Sequence, residues 1–438
     1  MPDLPTRAFV RAARLATLPM TFAGRTAVGL GRRVGGRPAE LVAAEVQART
    51  AEQLFTVLGE LKGGAMKVGQ WMSAMEAAMP EPMAGPYAEA LRRLQETAPA
   101  MPATMVHDAL VEAFGSRWRA QFTAFDDQPA AAASIGQVHH AIWRDGREVA
   151  VKLQYPRAAE ALASDLRQLN RLTPLLRAAV PGMDARALFT ELRGRLMDEV
   201  DYIQEATAQR AFADTFRQDP DFWVPDVVEV TDRVLVSEWV TGTPVAKIIT
   251  DGPTIQRDRV GLLLVRFLLS SPVRVGRLHG DPHPGNFRLL DDGRLAVLDF
   301  GASLPTPRGW PPRLADLVRA GRDRDASRLL ETATQTRLVR GTDVTPAHLL
   351  ELVDPLLEPL RHETFTFTRA WLRSQTTRLS DPRSPASRTQ RKLHVSVRNL
   401  LVQRVAIGTV GVLCLLDATV PLRDEAATWL LDRTRPSA

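Results

Sequence analysis

The 438-residue sequence predicts an α+β fold of two lobes, with an N-terminal helical extension and a mostly helical C-lobe. Three observations carry that expectation. Helical apolar spacing dominates the chain up to residue 120. Short β-rich runs bounded by turn residues cluster between residues 138 and 239. Helical spacing then returns, interrupted by one further hairpin at 287–299. The boundaries drawn from these shifts are a basic segment over 1–37, a helical extension over 38–120, an N-lobe over 121–241 and a C-lobe over 242–438.

In chain order, Arg7, Arg11, Arg14, Arg25, Arg32 and Arg33 are interspersed with Phe9, Val10, Leu15, Leu18, Met20 and Phe22. That pattern suits a basic amphipathic helix in peripheral contact with an anionic membrane surface, and equally a packed N-terminal helix. Leu54, Leu58, Leu61, Met66 and Trp71 recur at helical spacing, with a break expected at Gly63-Gly64. The methionines at 66, 72, 75 and 79 read as adaptable packing, with a lipid or quinone groove as the alternative. Prolines at 80, 82, 86, 99 and 102 punctuate the following helices, the last over His107–Phe114. Val138–Arg144 and Arg147–Gln154 flank Asp145-Gly146, a strong hairpin signal because glycine tolerates positive φ. Helices are expected over Ala158–Ala179 and Asp184–Phe216, then strands over Val227–Val230 and Val234–Trp239. Phe287–Leu290 and Arg294–Asp299 form the second hairpin, and Asp381–Ser387 reads as a loop.

Composition narrows the function. The single cysteine, Cys414, excludes an intrachain disulfide framework and a Cys-based zinc site. The formal charge of +6 is spread out, with no compact basic patch interleaved with aromatics, so no nucleic-acid partner is expected. No secretory signal is legible, and the apolar run Val405–Leu416 is too short to span a bilayer. A cytoplasmic protein, at most peripheral to a membrane, is the expectation. Only five of the 56 basic residues are lysines.

The chemistry is concentrated in the string from His279 through Asp281 to Asn286, followed by the hairpin and Asp299-Phe300-Gly301. An Asp, an Asn five residues on, a hairpin and then Asp-Phe-Gly is the layout of a phosphoryl-transfer site. Asp281 would orient or deprotonate the attacking hydroxyl, while Asn286 and Asp299 would hold Mg²⁺ on the phosphates of ATP. Upstream, Val149-Ala150-Val151-Lys152 matches the kinase strand whose lysine pairs the α/β-phosphates. Where kinases carry a Gly-rich loop, this chain has the segment ending Ala132-Ala133-Ser134-Ile135-Gly136-Gln137. Its small side chains let backbone approach phosphate, but alanine disfavours positive φ. Glu199, Asp201 and Glu205 are candidate partners for Lys152, with Glu199 favoured. Glu238, Trp239 and Val240 occupy the hinge, whose backbone would receive the base. His279, Asp281 and His283 could also be read as metal ligands, but the phosphoryl-transfer layout already explains them.

Together with Lys67-Val68-Gly69-Gln70, these motifs resemble the UbiB (AarF) family of atypical protein-kinase-like proteins, over residues 40–305. The resemblance implies a protein-kinase-like fold in which the Lys-x-Gly-Gln helix folds over the active site. Lys67 would then meet the Glu199/Asp201 pair or the phosphates. It also implies ATPase or small-molecule kinase activity tied to isoprenoid quinone or lipid metabolism, rather than ordinary protein phosphorylation. The family loop usually has Ala where Gly136 stands, which is expected to loosen it here. Rival readings are a small-molecule kinase of the aminoglycoside/choline type, which lacks Lys-x-Gly-Gln, and a non-catalytic nucleotide-gated lipid or partner-binding module.

Overall fold

The computed structural model describes residues 101–156 except Ser134, residue 160, and residues 200–381, 383–394 and 397–431. The chain divides into two compact units. One comprises Met1–Met72, Glu81–Pro99 and Arg157–Met197; the other comprises Ser73–Pro80, Ala100–Pro156 and Asp198–Ala438. The fold that follows is that of the second. Lys67, Glu199 and the Lys-x-Gly-Gln segment lie outside the described residues.

Helix α1 (Ala103–Phe114) leads into a five-stranded antiparallel sheet. Its strands are β1 (Phe122–Ala133), β2 (Gly136–Trp143), β3 (Glu148–Gln154), β5 (Val227–Val230) and β6 (Val234–Glu238), in the order β1-β2-β3-β6-β5. Helix α2 (Tyr202–Phe216) and the short β4 (Phe222–Trp223) intervene between β3 and β5. Side chains alternate across the sheet. Ala141, Trp143, Val149, Val151, Leu153, Val234 and Val236 pack with Val106 and Leu110 of α1 in one apolar core. The opposite face carries Val138 and His140 on β2, paired across the ladder with Lys152 and Ala150 on β3, all half-buried. That second face is the roof of the cleft.

The sequence expectation missed β1. Pro129 and the acidic pair Asp126-Asp127 hide its apolar pattern, and its pairing with β2 is broken by register shifts. An edge strand accommodates both. The alanine-rich segment is therefore the tip of a hairpin rather than a loop preceding one: Ala132 and Ala133 end β1, Gly136 and Gln137 begin β2. The Asp145-Gly146 turn is as expected, with Gly146 at φ 90°.

Beyond the hinge come β7 (Thr243–Pro244), α3 (Val245–Asp251), the long α4 (Thr254–Arg274), β8 (Arg277–Leu278), β9 (Phe287–Leu289), β10 (Leu295–Val297) and β11 (Leu304–Pro305). Strands β9 and β10 pair antiparallel, Phe287 opposite Val297, around a turn with Gly293 at φ 84°. The remaining elements are α5 (Pro312–Arg322), α6 (Ala326–Gln335), α7 (Pro346–Val353), β12 (Phe365–Thr366), α8 (Arg369–Ser380), α9 (Pro385–Gln390), α10 (Val397–Leu416), β13 (Thr419–Val420) and α11 (Leu422–Ala426). Phe212 and Phe216 of α2, Phe267 of α4, Phe287, Phe300 and Leu413 share one large core. That core fixes the β9–β10 hairpin and α10 to the same rigid base. Helices α5, α6, α7 and α9 build a separate core around Leu329, Leu349 and Leu352. No helix among the described residues is long and apolar enough to cross a membrane.

Candidate functional site

Lys152 lies on the cleft face of β3. Its Nζ donates to both carboxylate oxygens of Glu205, at 2.8 and 2.9 Å, and lies 3.6 Å from Asp299 Oδ2. The Tyr202 ring lies 5.2 Å from the same ammonium. Burial opposes the charge on Lys152, but the Asp299 and Glu205 carboxylates outweigh it and hold its pKa well above the ordinary range.

The partner of Lys152 is thus Glu205, which corrects the expectation that favoured Glu199. The reason is local. Asp201 caps α2: its Oδ1 accepts from the Gln204 backbone N–H and its Oδ2 from the Gln204 side chain. Among the described residues, Val200 and Asp201 lie outside the helix expected over Asp184–Phe216, and Glu205 sits in the first turn of α2, facing inward. Asp201-Tyr202-Ile203-Gln204 is an Asp-x-x-Gln capping signal, legible in the sequence but passed over. Gln154 on β3 donates to the Val200 carbonyl at 2.6 Å, so the end of the lysine strand also sets where α2 begins.

The segment from His279 to Gly301 is tied across itself. His279, buried among Phe212, Phe267, Phe287 and Phe300, donates from Nε2 to the Asp299 carbonyl. His283 Nδ1 accepts from the Gly285 N–H. These contacts make both histidines braces of the loop. Asn286 Nδ2 donates to the Asp281 carbonyl at 3.1 Å, and the Leu298 N–H donates to the Asn286 carbonyl at 2.9 Å. The β9–β10 pairing thereby brings Asn286 and Asp299 to the same end of the hairpin, as the spacing predicts. Asp299 Oδ1 accepts from the Gly301 N–H at 3.0 Å. Gly301 lies beside both carboxylates: a Cβ on it would be in ordinary contact with Asp299 Oδ1 and Glu205 Oε2, at 3.4 and 3.5 Å.

Asn286 spends its amide nitrogen on the Asp281 carbonyl. Its amide oxygen and the Asp299 carboxylate are hard oxygen donors of the kind that could hold Mg²⁺.

Two expected nucleotide contacts change. Gln137 pairs opposite Leu153, so its side chain leaves the cleft face. It accepts from the Met101 N–H at Oε1 and donates from Nε2 to His139 Nε2, while His139 Nδ1 donates to the Asp126 carbonyl. Gly136 does not loosen the turn: a Cβ there would sit 1.9 Å from the Leu153 carbonyl oxygen, so glycine is what lets β2 lie against β3. At the hinge, the N–H groups of Glu238 and Trp239 donate to the Asp226 and Glu148 carbonyls within the sheet. Neither of these two N–H groups is therefore free for the expected base contact. The Trp239 ring contacts the His140 ring edge to face, 4.7 Å away.

A small twisted sheet carrying a buried Lys–Glu pair, set over a helical lobe with a divided Asp…Asn, Asp-Phe-Gly loop, defines a protein-kinase-like cleft. The chain belongs to the ABC1 atypical kinase-like domain family, whose model matches residues 93–333. It is 31% identical over 330 residues to Atypical kinase coq-8, mitochondrial, of Caenorhabditis elegans, covering 73% of this chain and 43% of that protein. It is 30% identical over 322 residues to Atypical kinase COQ8, mitochondrial, of Saccharomyces cerevisiae, covering 71% of this chain and 62% of the yeast protein. The chain thus spans about half the length of these relatives. Among solved structures, that of Rv3197 of Mycobacterium tuberculosis, described as a complex with erythromycin, is 44% identical with a TM-score of 0.69, covering 91% of this chain and all of that one.

Proposed function

We propose that the chain binds ATP with Mg²⁺ and transfers its γ-phosphoryl group to water or to a small or lipid-like acceptor. The observation that carries this is the convergence of Glu205 and Asp299 on Lys152, beside a loop that presents Asp281 and Asn286 together. Lys152, held protonated, positions the phosphates, and Glu205 aims it. Asn286 and Asp299 hold the metal, which neutralises charge on the phosphates when bound. Asp281, 8% exposed at the mouth of the loop, orients the acceptor hydroxyl and takes its proton. The tip residues Ala132, Ala133, Ser134, Ile135 and Gly136 cover the phosphates with backbone. The roles of Lys67 and Glu199 follow from the family resemblance alone, which directs Lys67 to the Glu199/Asp201 pair or to the phosphates. The UbiB/AarF resemblance directs the acceptor toward isoprenoid quinone precursors or lipids, at a membrane surface reached from the cytoplasm.

The test is Mg²⁺-dependent ATP hydrolysis, measured with and without lipid vesicles or phenolic quinone-precursor mimics. Stabilisation against heat by MgATP, lost in Asp299→Asn, supports the reading. A melting temperature unmoved by millimolar MgATP overturns it. Because the mycobacterial relative is described with erythromycin, that macrolide belongs in the same titration as a competing ligand.

A further inference from the structure

We infer that α10 is a brace for the catalytic loop, with Arg404 and Gly408 as positioning residues for Asp281. The inference rests on the role proposed above for Asp281. The half-buried Arg404 donates from Nη2 to the carbonyl of Gly280, 3.4 Å away. That carbonyl belongs to the planar peptide whose nitrogen is Asp281's own, so holding it fixes the orientation of the peptide that enters Asp281. On the other side, Pro282 leaves Asp281, and its ring packs against Gly408: a Cβ on Gly408 would lie 2.8 Å from Pro282 Cγ. Arg404 and Gly408 are four residues apart and share one face of the helix. One helical turn thus grips the chain immediately before and immediately after the candidate base.

The grip is only as firm as the helix that makes it. Val405, Val412, Leu413 and Leu416 of α10 are buried in the core that also holds Phe267 of α4 and Phe287 beside the loop. The loop is closed from the opposite side as well. A Cβ on Gly280 would lie 2.0 Å from the Ala302 carbonyl oxygen, just beyond Asp299-Phe300-Gly301. The loop therefore lies between α10 and the metal-binding segment and cannot yield toward either. The matched family domain ends at residue 333, so this brace comes from sequence beyond it. An arginine suits the position because its planar fork holds a fixed direction that a lysine head does not.

The experiment uses the full chain with Arg404→Ala, Arg404→Lys and Gly408→Val. Steady-state MgATP hydrolysis is measured alongside hydrogen exchange of the amides in 279–286. Arg404→Ala and Gly408→Val are expected to lower kcat about tenfold by misplacing Asp281, with KM for MgATP within about twofold. Arg404→Lys recovers only part of kcat, because its ammonium reaches the carbonyl without a fixed direction. In Arg404→Ala, exchange rises in 279–286 and stays unchanged in 227–238. Wild-type kcat together with wild-type exchange at 279–286 overturns the brace. So does a loss of kcat accompanied by equal loss of MgATP affinity and faster exchange throughout, which marks a general destabilisation. If the wild-type chain hydrolyses no ATP, the proposed function falls, and the exchange at 279–286 alone decides the brace.

Discussion

Two of the charge clusters among the described residues are built differently. In the first, Lys152 faces Glu205 and Asp299 across the cleft. In the second, Arg266 on α4 donates to Asp221 at 2.5 Å and to Glu425 at 2.6 Å, and Arg259 donates to the other oxygen of Asp221 at 2.9 Å. The second cluster joins α4, the start of β4 and α11 with forked guanidinium groups whose directions are fixed. Burial works against the Asp221 charge, but hydrogen bonds from Arg266 and Arg259 win and hold its carboxyl below the usual range. The first cluster uses a compact ammonium that can turn between carboxylate and phosphate, and its Asp299 side chain is 30% exposed while Glu205 is 1% exposed. Arginine forks appear where geometry is to be locked. A lysine stands where the function proposed above has one partner exchanged for a ligand.

That contrast is open to direct test. Asp299→Asn should lower hydrolysis about a hundredfold or more with little change in melting temperature, because it removes charge aimed at the reaction and not a structural tie. A variant that melts early instead would place the first cluster with the second. Glu205→Gln should cost roughly tenfold in hydrolysis, since Lys152 keeps a hydrogen-bond partner but loses the charge that aims it. Unaltered turnover in that variant would remove Glu205 from the site.

Arg266→Leu should do the opposite. It leaves Asp221 and Glu425 without their main cation and should cost about 2 kcal/mol, discounted for partial exposure, with turnover per folded molecule unchanged. Its acid unfolding should also begin at higher pH. The Asp221 charge contributes stability above the ordinary carboxyl pKa, lost as pH falls through the folded value, and without Arg266 that folded value rises. Urea melts across pH 3–5, compared with wild type, read this out.

The smallest effect concerns the Met101–Gln137–His139 chain of hydrogen bonds. Burial lowers the His139 pKa against the opposing pull of the Asp126 carbonyl and nearby carboxylates, so the folded chain holds a neutral ring. Between the ordinary value of 6.5 and that lower folded value, the unfolded chain binds a proton that the folded one does not. Stability should therefore decline as pH falls from 6.5, and His139→Gln should flatten the slope in urea melts. A wild-type slope retained in that variant would assign the pH dependence elsewhere.

The motif residues were legible because each carries its chemistry at short range. Asp281, Asn286 and Asp299 are spaced by a loop and a hairpin whose turn the sequence announces. Lys152 sits on an alternating strand that the Asp145-Gly146 turn delimits. What short range could not show was which distant groups complete them. Glu205 rather than Glu199 meets Lys152 because a capping aspartate begins the helix at Tyr202. Gln137 leaves the cleft because the register of β2 on β3 sends it to the core face with Leu153. Gly136 is demanded by a carbonyl on the next strand, a close approach with no trace in its own neighbours in sequence. The hydrogen bond from Arg404 to Gly280 in the loop before Asp281 joins positions 124 residues apart.

By itself, then, the sequence determined the family and most of the candidate site groups, since local spacing and turn residues suffice to present them. The tertiary structure alone decided how those groups are paired, aimed and braced. Those choices depend on strand register, on where a helix begins and on which faces share a core, none of which is a property of neighbouring residues.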